Sequence, residues 1–582
     1  MDKPAVPEDR WRLWAAFAIL FAFAYLALSA LGAAWVFPHR YAPAPTDFDT
    51  SFMGTLAAND ATPLAIAAVS STDETVAGRP ITVDELTFHS ETSGGVDVRI
   101  FAALVRPRAM GPPAPGLVLV HGYGGSHNDS MRYARELAAD GYVAIAIDAP
   151  DSGRSTPYPR RTPENFVNAT PDPKGAFFYH VAYASSRALS VLESRPYVDG
   201  GRLGVLGASQ GGVMSLYLAA KDPRVRAAVP IIAGGNVEDA FQAPSAVHAL
   251  VPKDLGPTDP RAVAFRRHYD PLAYASEIDV PTLYLAGTND EFFPIGDMVD
   301  TYNAIPARKW LGLVPNHGHA LYEGWNRTVV RFLDWAFRSG PALPDPAVLG
   351  VTSDLLGVHV TAASTSASEV RLLWRGSTAA EAWQGVRMDP VGTEYRATAG
   401  PPWPGRVSFY VSVVEGGAYT TATAVLEADA AGLTGPALMV VTATMTAYLL
   451  GLLGVAYRDR LVPLAAALLS TVGGAVAWVG VPGRTAWGVY EIADRTALGG
   501  GVLLPYLLWF SLLITVALLR PRKMVVLTWV PVIFTATVCG VLYALFGSAV
   551  IVAPSWGFLA ILAAPLLVLA ERRWRKAAPH VY

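Results

Sequence analysis

Cysteine is almost absent from this sequence. Its single cysteine, Cys539, lies within an apolar run, which excludes an intramolecular disulfide, a thiolate metal site and a cysteine nucleophile. Charged residues are also scarce, at 16% of the 582 residues, whereas 52% are hydrophobic. The net charge of −3 gives no reason to propose nucleic acid as a partner, and the excess of apolar residues predicts segments that lie in a membrane.

Long uncharged runs predict where those segments lie. Residues 13–36 form a run of membrane-spanning length that follows Arg10 and Arg12. A cleavable signal peptide is the alternative, but the run is longer than a typical signal core, so we predict an uncleaved transmembrane anchor. Five further apolar runs predict a five-helix transmembrane region over residues 436–570, namely 436–456, 461–481, 499–519, 524–546 and 549–570.

The charges that connect these runs predict their orientation. Basic residues are concentrated in every second connection and after the last run: Arg458 and Arg460, then Arg520, Arg522 and Lys523, then Arg572, Arg573, Arg575 and Lys576. Because basic loops stay in the cytoplasm, six spans place both termini in the cytoplasm and the region after the first span outside it. The sequence therefore predicts a multi-pass protein of the cell membrane, with the lipid bilayer as a partner and an extracytoplasmic catalytic domain.

The region predicted to lie outside the membrane begins with a segment whose apolar residues do not repeat at the spacing of a helix or a strand. Residues 37–80 are rich in Pro, Ala, Ser and Thr, which predicts a linker or an extended arm. Over residues 81–340, short apolar segments typical of strands alternate with segments typical of helices. This alternation predicts a doubly wound, mostly parallel α/β sheet, with its functional site at the carboxyl ends of the strands. For a polar insertion at 234–278 we favour a solvated surface, and a cap over the site is the alternative.

One turn in this region is typical of a catalytic nucleophile. Ser209 lies between a short apolar strand and a predicted helix, and Gly207 and Gly211 stand two residues before and after it. Such a turn holds the serine hydroxyl clear of the sheet, at a helix N-terminus that favours developing negative charge. The pattern predicts a nucleophile elbow with Ser209 as the attacking group.

An acid follows later in the chain, in the order that this elbow requires. Asp290 comes shortly after the apolar strand 282–286, and its neighbour Glu291 is the alternative. We favour Asp290 because it closes a Gly-Thr-Asn-Asp turn and precedes Pro294 by four residues. A carboxylate at this place fixes the tautomer of a catalytic histidine and stabilises its protonated form.

A histidine follows the next strand. His319 comes after the apolar strand 310–314, and His317 is the alternative. We favour His319 because Gly318 before it gives the loop freedom to turn the ring toward Ser209. A neutral imidazole at this place takes the proton of the serine hydroxyl and makes it a nucleophile.

Two backbone N–H groups are expected to form the oxyanion hole. One belongs to Gln210, the residue after the nucleophile, and the other to the loop after strand 116–120, where Tyr123 is the expected donor. That loop has the sequence His-Gly-Tyr-Gly-Gly, for which a plain glycine turn is the alternative.

These motifs carry a resemblance over about half of the chain, residues 80–340. The region looks like the α/β-hydrolase superfamily. Segments 187–199, 202–204 and 207–212, the last with the sequence Gly-Ala-Ser-Gln-Gly-Gly, are similar to acetyl xylan esterases and related deacetylases. Segments 289–294, 309–311 and 315–319 resemble PhoPQ-activated pathogenicity-related proteins instead. The resemblance implies a triad of Ser209, Asp290 and His319, and hydrolysis of esters or amides without a metal or organic cofactor.

Over residues 350–428 the pattern of apolar and polar residues changes to one typical of β-strands. Segments that alternate between apolar and polar residues are separated by Gly, Pro and Ser turns, which predicts a small β-sandwich. The pattern Trp383, Met388, Gly392, Tyr395 resembles the immunoglobulin-like modules appended to secreted hydrolases. A spacer and a binding module both remain open for this accessory domain.

The sequence as a whole predicts a membrane-anchored serine hydrolase that cleaves carboxylic esters through an acyl-enzyme. Its substrate is a small-molecule or polymer ester, and its oligomeric state stays open. A serine peptidase and an acyltransferase with a membrane-borne acceptor are the alternatives among enzymes. A non-catalytic binding protein is the alternative outside them, and the ordered triad disfavours it.

Overall fold

The computed structural model describes residues 36–38, 47–237, 241, 245–354, 357–365, 369–376, 382–399 and 406–429. A large mixed sheet lies at the centre of this part of the chain. Its strands up to residue 314 are β1 (Val36–Pro38), β2 (Ala67–Val76), β3 (Arg79–Ser93), β4 (Val96–Pro107), β5 (Ala114–Val120), β6 (Val143–Ile147), β7 (Val198–Ala208), β8 (Val225–Ile231), β9 (Thr282–Gly287) and β10 (Lys309–Val314).

Parallel pairing dominates the middle of the sheet. Strands β6, β5, β7, β8, β9 and β10 lie side by side in this order, each parallel to the next. Beyond β6, the strands β4, β3 and β2 continue the sheet with antiparallel pairing. The strand order reverses between β5 and β7, and crevices at such reversals are where open α/β sheets bind ligands.

Helices cover both faces of the sheet. They are α1 (His127–Ala139), α2 (Pro163–Phe166), α3 (Phe177–Glu193), α4 (Gln210–Lys221), α5 (Pro260–Tyr269), α6 (Pro271–Ala275), α7 (Ile295–Ala304) and α8 (Trp325–Arg338). Alternate residues of β5 separate the two faces: Leu117 and Leu119 lie in a core with α1 and α8, whereas Val118 and Val120 lie in a core with α3 and α4. A sheet buried on both faces explains its apolar strands and confirms the α/β part of the predicted fold class.

Residues 347–429, here named the β region, contain the remaining strands. These are β11 (Ala347–Asp354), β12 (Gly357–Ala363), β13 (Glu369–Gly376), β14 (Gln384–Arg387), β15 (Asp389–Val391), β16 (Glu394–Ala399), β17 (Arg406–Glu415), β18 (Ala418–Ala422) and β19 (Leu426–Asp429). Strands β11, β12, β16 and β15 form one sheet. The other strands form a second layer, and residues from both, among them Val360 and Phe409, share a core.

The second layer of the β region continues the central sheet. Strand β18 pairs antiparallel with β10, where Leu311 faces Ala422. Strand β19 pairs with β17 and also with β1, near the other end of the described chain. Because β10 leads directly into the loop of His319, the β region borders the loop that holds this histidine.

The membrane part of the prediction is wrong for the residues that the structure describes. No helix there is long and apolar enough to cross a bilayer, and Val36, the last residue of the predicted first span, begins a β-strand. The other residues of that span, and all five runs over 436–570, lie outside the described residues. For the part of the chain that the structure describes, we therefore correct the fold class to an α/β sheet with a β region and no transmembrane bundle, and we retain neither the six-span localisation nor the bilayer as a partner.

Candidate active site

The turn around Ser209 has the geometry of a strand-to-helix elbow. Ser209 lies between β7 and α4 with φ 57° and ψ −119°, a conformation that non-glycine residues rarely adopt. Its N–H donates to the carbonyl of Ile231 at 2.9 Å, which fixes the turn to β8. A Cβ atom at Gly207 would lie 2.5 Å from the carbonyl oxygen of Val120, and one at Gly211 would meet the same atom still more closely. Both glycines are therefore required by the close approach of β5.

Asp290 and His319 are brought together from two neighbouring strands. Strands β9 and β10 pair in register up to Gly287 and Val314, so the loops that follow leave the sheet at the same level. The Nδ1 atom of His319 lies 2.8 Å from Oδ2 of Asp290, whose side chain is fully buried. Oδ1 of Asp290 accepts the N–H groups of Phe292 and Phe293, both at 2.8 Å.

The alternatives to these two residues make different contacts. Glu291 accepts the backbone N–H of His319 through Oε2 at 3.0 Å, so it contacts the histidine's main chain rather than its ring. Burial acts to raise the pKa of Glu291, but this hydrogen bond and the nearby imidazole outweigh it and lower the pKa. The ring of His317 turns away, with Nε2 2.9 Å from the carbonyl oxygen of Ala320.

Two aromatic rings hold the imidazole of His319. The ring centroid of Phe292 lies 4.4 Å from that of His319, and the ring centroid of Phe293 lies 5.9 Å away. The same two residues donate their N–H groups to Asp290. The turn after Asp290 thus fixes both the carboxylate and the imidazole.

The loop after β5 lies against the elbow. A Cβ atom at Gly122 would lie 3.5 Å from Cβ of Ser209, so the loop passes directly beside the serine. The Tyr123 ring packs edge-on against Phe166 and Phe177, at 5.7 and 6.1 Å between ring centroids. Of the two residues predicted for the oxyanion hole, Gln210 directly follows Ser209 in the chain, and Tyr123 lines the same cavities as Ser209.

A buried histidine fixes this loop, and sequence reasoning gave it no role. Nε2 of His121 accepts the N–H of Ala149 at 3.0 Å, and its Nδ1 lies 2.7 Å from the carbonyl oxygen of Gly122. An acceptor at Nε2 requires the proton to be on Nδ1, so the ring is neutral. Burial lowers the pKa of His121, which agrees with this tautomer. Its position directly after a parallel strand is the signal that could have identified it.

A second buried pair supports the same edge of the sheet. Nδ1 of His127 lies 2.8 Å from Oδ1 of Asp148, and Oδ2 accepts the N–H of Arg154 at 2.7 Å. Burial acts to raise the pKa of Asp148, but the hydrogen bonds from His127 and Arg154 outweigh it and lower the pKa. The pair joins the first turn of α1 to the end of β6, beside the loop of His121. The sequence shows Asp148 at a strand end but does not show its partner.

Two cavities meet at Ser209. The larger, of about 370 Å³, is lined by Ser209 and His319 together with polar side chains of α1, among them Asp129 and Ser130. The smaller, of about 50 Å³, is lined by Gln210 and otherwise by mainly apolar side chains. Ser209, Tyr123, Leu250 and Phe292 line both cavities. The serine therefore stands between a roomy, partly polar space and a narrow apolar one.

The insertion closes the narrow cavity. Its lining includes Val247 and Leu250 from a 3₁₀ helix (Ala246–Leu250), and Phe265 from α5. Ser245, which precedes this helix, donates its hydroxyl to the carbonyl of Phe292 at 2.7 Å. The apolar side chains of the insertion thus face the site as a cap, which the pattern of its charged residues did not indicate.

Two family models match this chain over overlapping parts of its length. The family model described as acetyl xylan esterase matches residues 39–233. The model described as PhoPQ-activated pathogenicity-related protein matches residues 201–381. An acetyl esterase of Xylanibacter ruminicola is 30% identical over 172 residues, which are 29% of this chain and 38% of that protein. The chain thus matches well under half of the length of this relative.

Solved structures of acetyl xylan esterases are also similar. The enzyme from Paenibacillus sp. R4 gives a TM-score of 0.44 at 22% identity, over 52% of this chain and 98% of that one. The enzyme from Thermoanaerobacterium sp. gives 0.43 at 23% identity, over 51% and 95%. The family matches confirm the predicted resemblance to both families. The acetyl xylan esterase model and the acetyl esterase support the predicted class of enzyme, a serine hydrolase that acts on carboxylic esters.

Proposed function

We propose that this protein hydrolyses carboxylic esters of short acyl groups through an acyl-enzyme on Ser209. The observation that carries the proposal is the pairing of His319 with the buried Asp290, at a cavity that Ser209 also lines. The strained backbone of Ser209 supports it, because such strain is typical of a nucleophile elbow.

In the proposed mechanism, Nε2 of His319 takes the hydroxyl proton of Ser209 as the serine oxygen attacks the ester carbonyl. The carboxylate of Asp290 accepts the Nδ1–H and stabilises the imidazolium that forms. The N–H groups of Gln210 and Tyr123 donate to the developing oxyanion. His319 then returns the proton to the leaving alcohol, and a water activated by the same ring releases the acid from the acyl-enzyme.

The two cavities suggest where the acyl group and the alcohol of the ester bind. The narrow apolar cavity beside Gln210 suits a small acyl group such as acetyl, because its space of about 50 Å³ is a small fraction of the 370 Å³ of the other cavity. The larger cavity suits the alcohol, and its polar side chains from α1 suit a hydroxylated leaving group. The similarity to an acetyl esterase supports the same assignment.

Labelling with a fluorophosphonate probe, which reacts with activated serines, tests the proposal. We expect the parent protein to react with the probe and to hydrolyse p-nitrophenyl acetate, and Ser209→Ala to do neither. In His319→Ala we expect the rates of labelling and of ester hydrolysis each to fall by about 10³-fold or more. His317→Ala is the matched control and keeps parental rates. A folded parent protein that neither reacts with the probe nor hydrolyses acetate esters would contradict the proposed function.

A further inference from the structure

The loop that holds His319 is bound to the β region by one side chain. The amide of Asn316 donates its Nδ2–H to the carbonyl of Trp383 at 2.8 Å. The N–H of Trp383 donates to Oδ1 of the same amide at 2.7 Å. Both polar ends of Asn316 are thus used on one residue that lies 67 positions later in the chain.

The backbone of Asn316 connects the same loop to the acid. Its N–H donates to the hydroxyl of Thr288 at 2.8 Å, and the carbonyl of His317 accepts the N–H of Asn289 at 2.9 Å. Asn316 has φ 58°, a left-handed conformation that asparagine tolerates better than most residues. The residue therefore joins the loop of His319, the turn before Asp290 and the β region.

The residue at the other end of this link is fixed in the β region. Trp383 is only 4% exposed, and its ring packs against Tyr410 of β17 with 4.9 Å between ring centroids. Arg331 of α8 and Glu415 of β17 form an ion pair at 2.8 Å. Together with the pairing of β18 on β10, these contacts hold the β region against the catalytic sheet.

We infer that Asn316 is a positioning residue, and that the β region acts through it to hold the loop of His319 in the orientation needed for proton transfer. The inference rests on the proposed function and extends it. Only two residues, 317 and 318, lie between Asn316 and His319, so loss of the link removes the side-chain hydrogen bonds that join this loop to the β region. On this inference the β region is part of the catalytic unit rather than a spacer.

Asn316→Gly is the variant that tests the link. It removes the side chain and keeps a residue that adopts positive φ without strain, so the backbone is not forced to change. Asn316→Asp keeps the acceptor for the Trp383 N–H but places an oxygen against the Trp383 carbonyl. Ser339→Gly is the matched control, because Ser339 is an exposed residue with φ 57° that lies outside the site.

Three measurements on the full chain decide the inference: kcat and KM for p-nitrophenyl acetate, the melting temperature, and hydrogen exchange of residues 315–322. For Asn316→Gly we expect kcat to fall by about tenfold to 10²-fold with little change in KM, a melting temperature within a few degrees of the parent, and faster exchange in this segment. Asn316→Asp is expected to lie between the glycine variant and the parent, and Ser339→Gly to match the parent in all three.

Parental kcat in Asn316→Gly would overturn the inference. If the parent protein itself hydrolyses no ester, the proposed function fails, and hydrogen exchange still tests the link. Unchanged protection of residues 315–322 in the glycine variant would then overturn the inference, whereas faster exchange would support the link between the β region and the histidine loop.

Discussion

Asp290 presents only one of its two carboxylate oxygens to His319. Oδ2 lies 2.8 Å from Nδ1 of the imidazole, and Oδ1 accepts two backbone N–H groups from the turn that follows. The carboxylate cannot rotate without losing these bonds, so the orientation of the imidazole depends on the backbone of residues 290–293.

This arrangement predicts different effects for two neighbouring acids. Asp290→Asn is expected to lower kcat by about 10³-fold or more, because an amide cannot stabilise the imidazolium and can favour the wrong tautomer. Glu291→Gln is the matched control, because glutamine can still accept the N–H of His319, and we expect less than a tenfold loss. Steady-state kinetics on p-nitrophenyl acetate measure both. Equal losses in the two variants would contradict the assignment of Asp290.

The narrow cavity predicts a limit on acyl length. Val247 lies on the wall that the insertion contributes, so Val247→Ala is expected to enlarge the cavity. The ratio of kcat/KM for the butyrate ester to that for the acetate ester is then expected to rise about tenfold, since one or two methylenes in an apolar pocket carry such a difference. Val263→Ala is the control, because Val263 lies in the same insertion but is 37% exposed. If the parent protein hydrolyses the octanoate ester with a higher kcat/KM than the acetate ester, the proposal that the narrow cavity holds the acyl group is wrong.

We expect the buried His121 to make the free energy of unfolding depend on pH. Burial lowers its pKa from the ordinary 6.5, so below that pH the unfolded chain binds more protons than the folded one. The contribution of His121 is therefore complete above about pH 6.5 and is lost as the pH falls below it. His121→Gln keeps an acceptor for the Ala149 N–H without a group that titrates.

Urea unfolding at pH 8, 6.5 and 5 tests this prediction. The free energy of unfolding is expected to fall less steeply toward acid in His121→Gln than in the parent. The difference between the two proteins at pH 8 measures the altered hydrogen bonds alone and serves as the internal reference. Parallel curves for parent and variant would exclude His121 as a source of the acid dependence.

Because β5 passes close to the elbow, we expect that adding a methyl group at Gly211 destabilises the fold. Gly211→Ala is expected to lower the free energy of unfolding by about 3 kcal/mol or more, because the new Cβ would overlap a backbone carbonyl that cannot move alone. Gly256→Ala is the control, since its added Cβ would meet no atom within 4 Å. Chemical denaturation measures both, and equal stabilities would show that the elbow can relax.

Much of the fold was predictable because parallel strands leave a strong local signal. Apolar runs such as Val143–Ile147 identify strands buried on both faces, and their ends identify where polar residues gather. That rule placed Ser209, Asp290 and His319 at one edge of one sheet. Their catalytic roles, and those of Tyr123 and Gln210, stay predictions until they are tested.

Other features were not predictable because they depend on contacts between distant segments. The two hydrogen bonds between Asn316 and Trp383 join two loops, neither of which has a periodic pattern. The pairing of Leu311 with Ala422 extends the sheet across what composition suggested were separate domains. Hydropathy reports that a residue is buried, but it does not report which element covers it.

The pairing of β1 with β19 determines how the sheet responds to mechanical load. The strands are antiparallel, with Val36 opposite Ala428 and Pro38 opposite Leu426, so residue 36 lies beside the end of β19 at residue 429. Tension applied across these two points acts perpendicular to the strands and breaks their hydrogen bonds one after another. Within the described residues β1 and β19 pair at three positions, so we expect few hydrogen bonds to resist this tension.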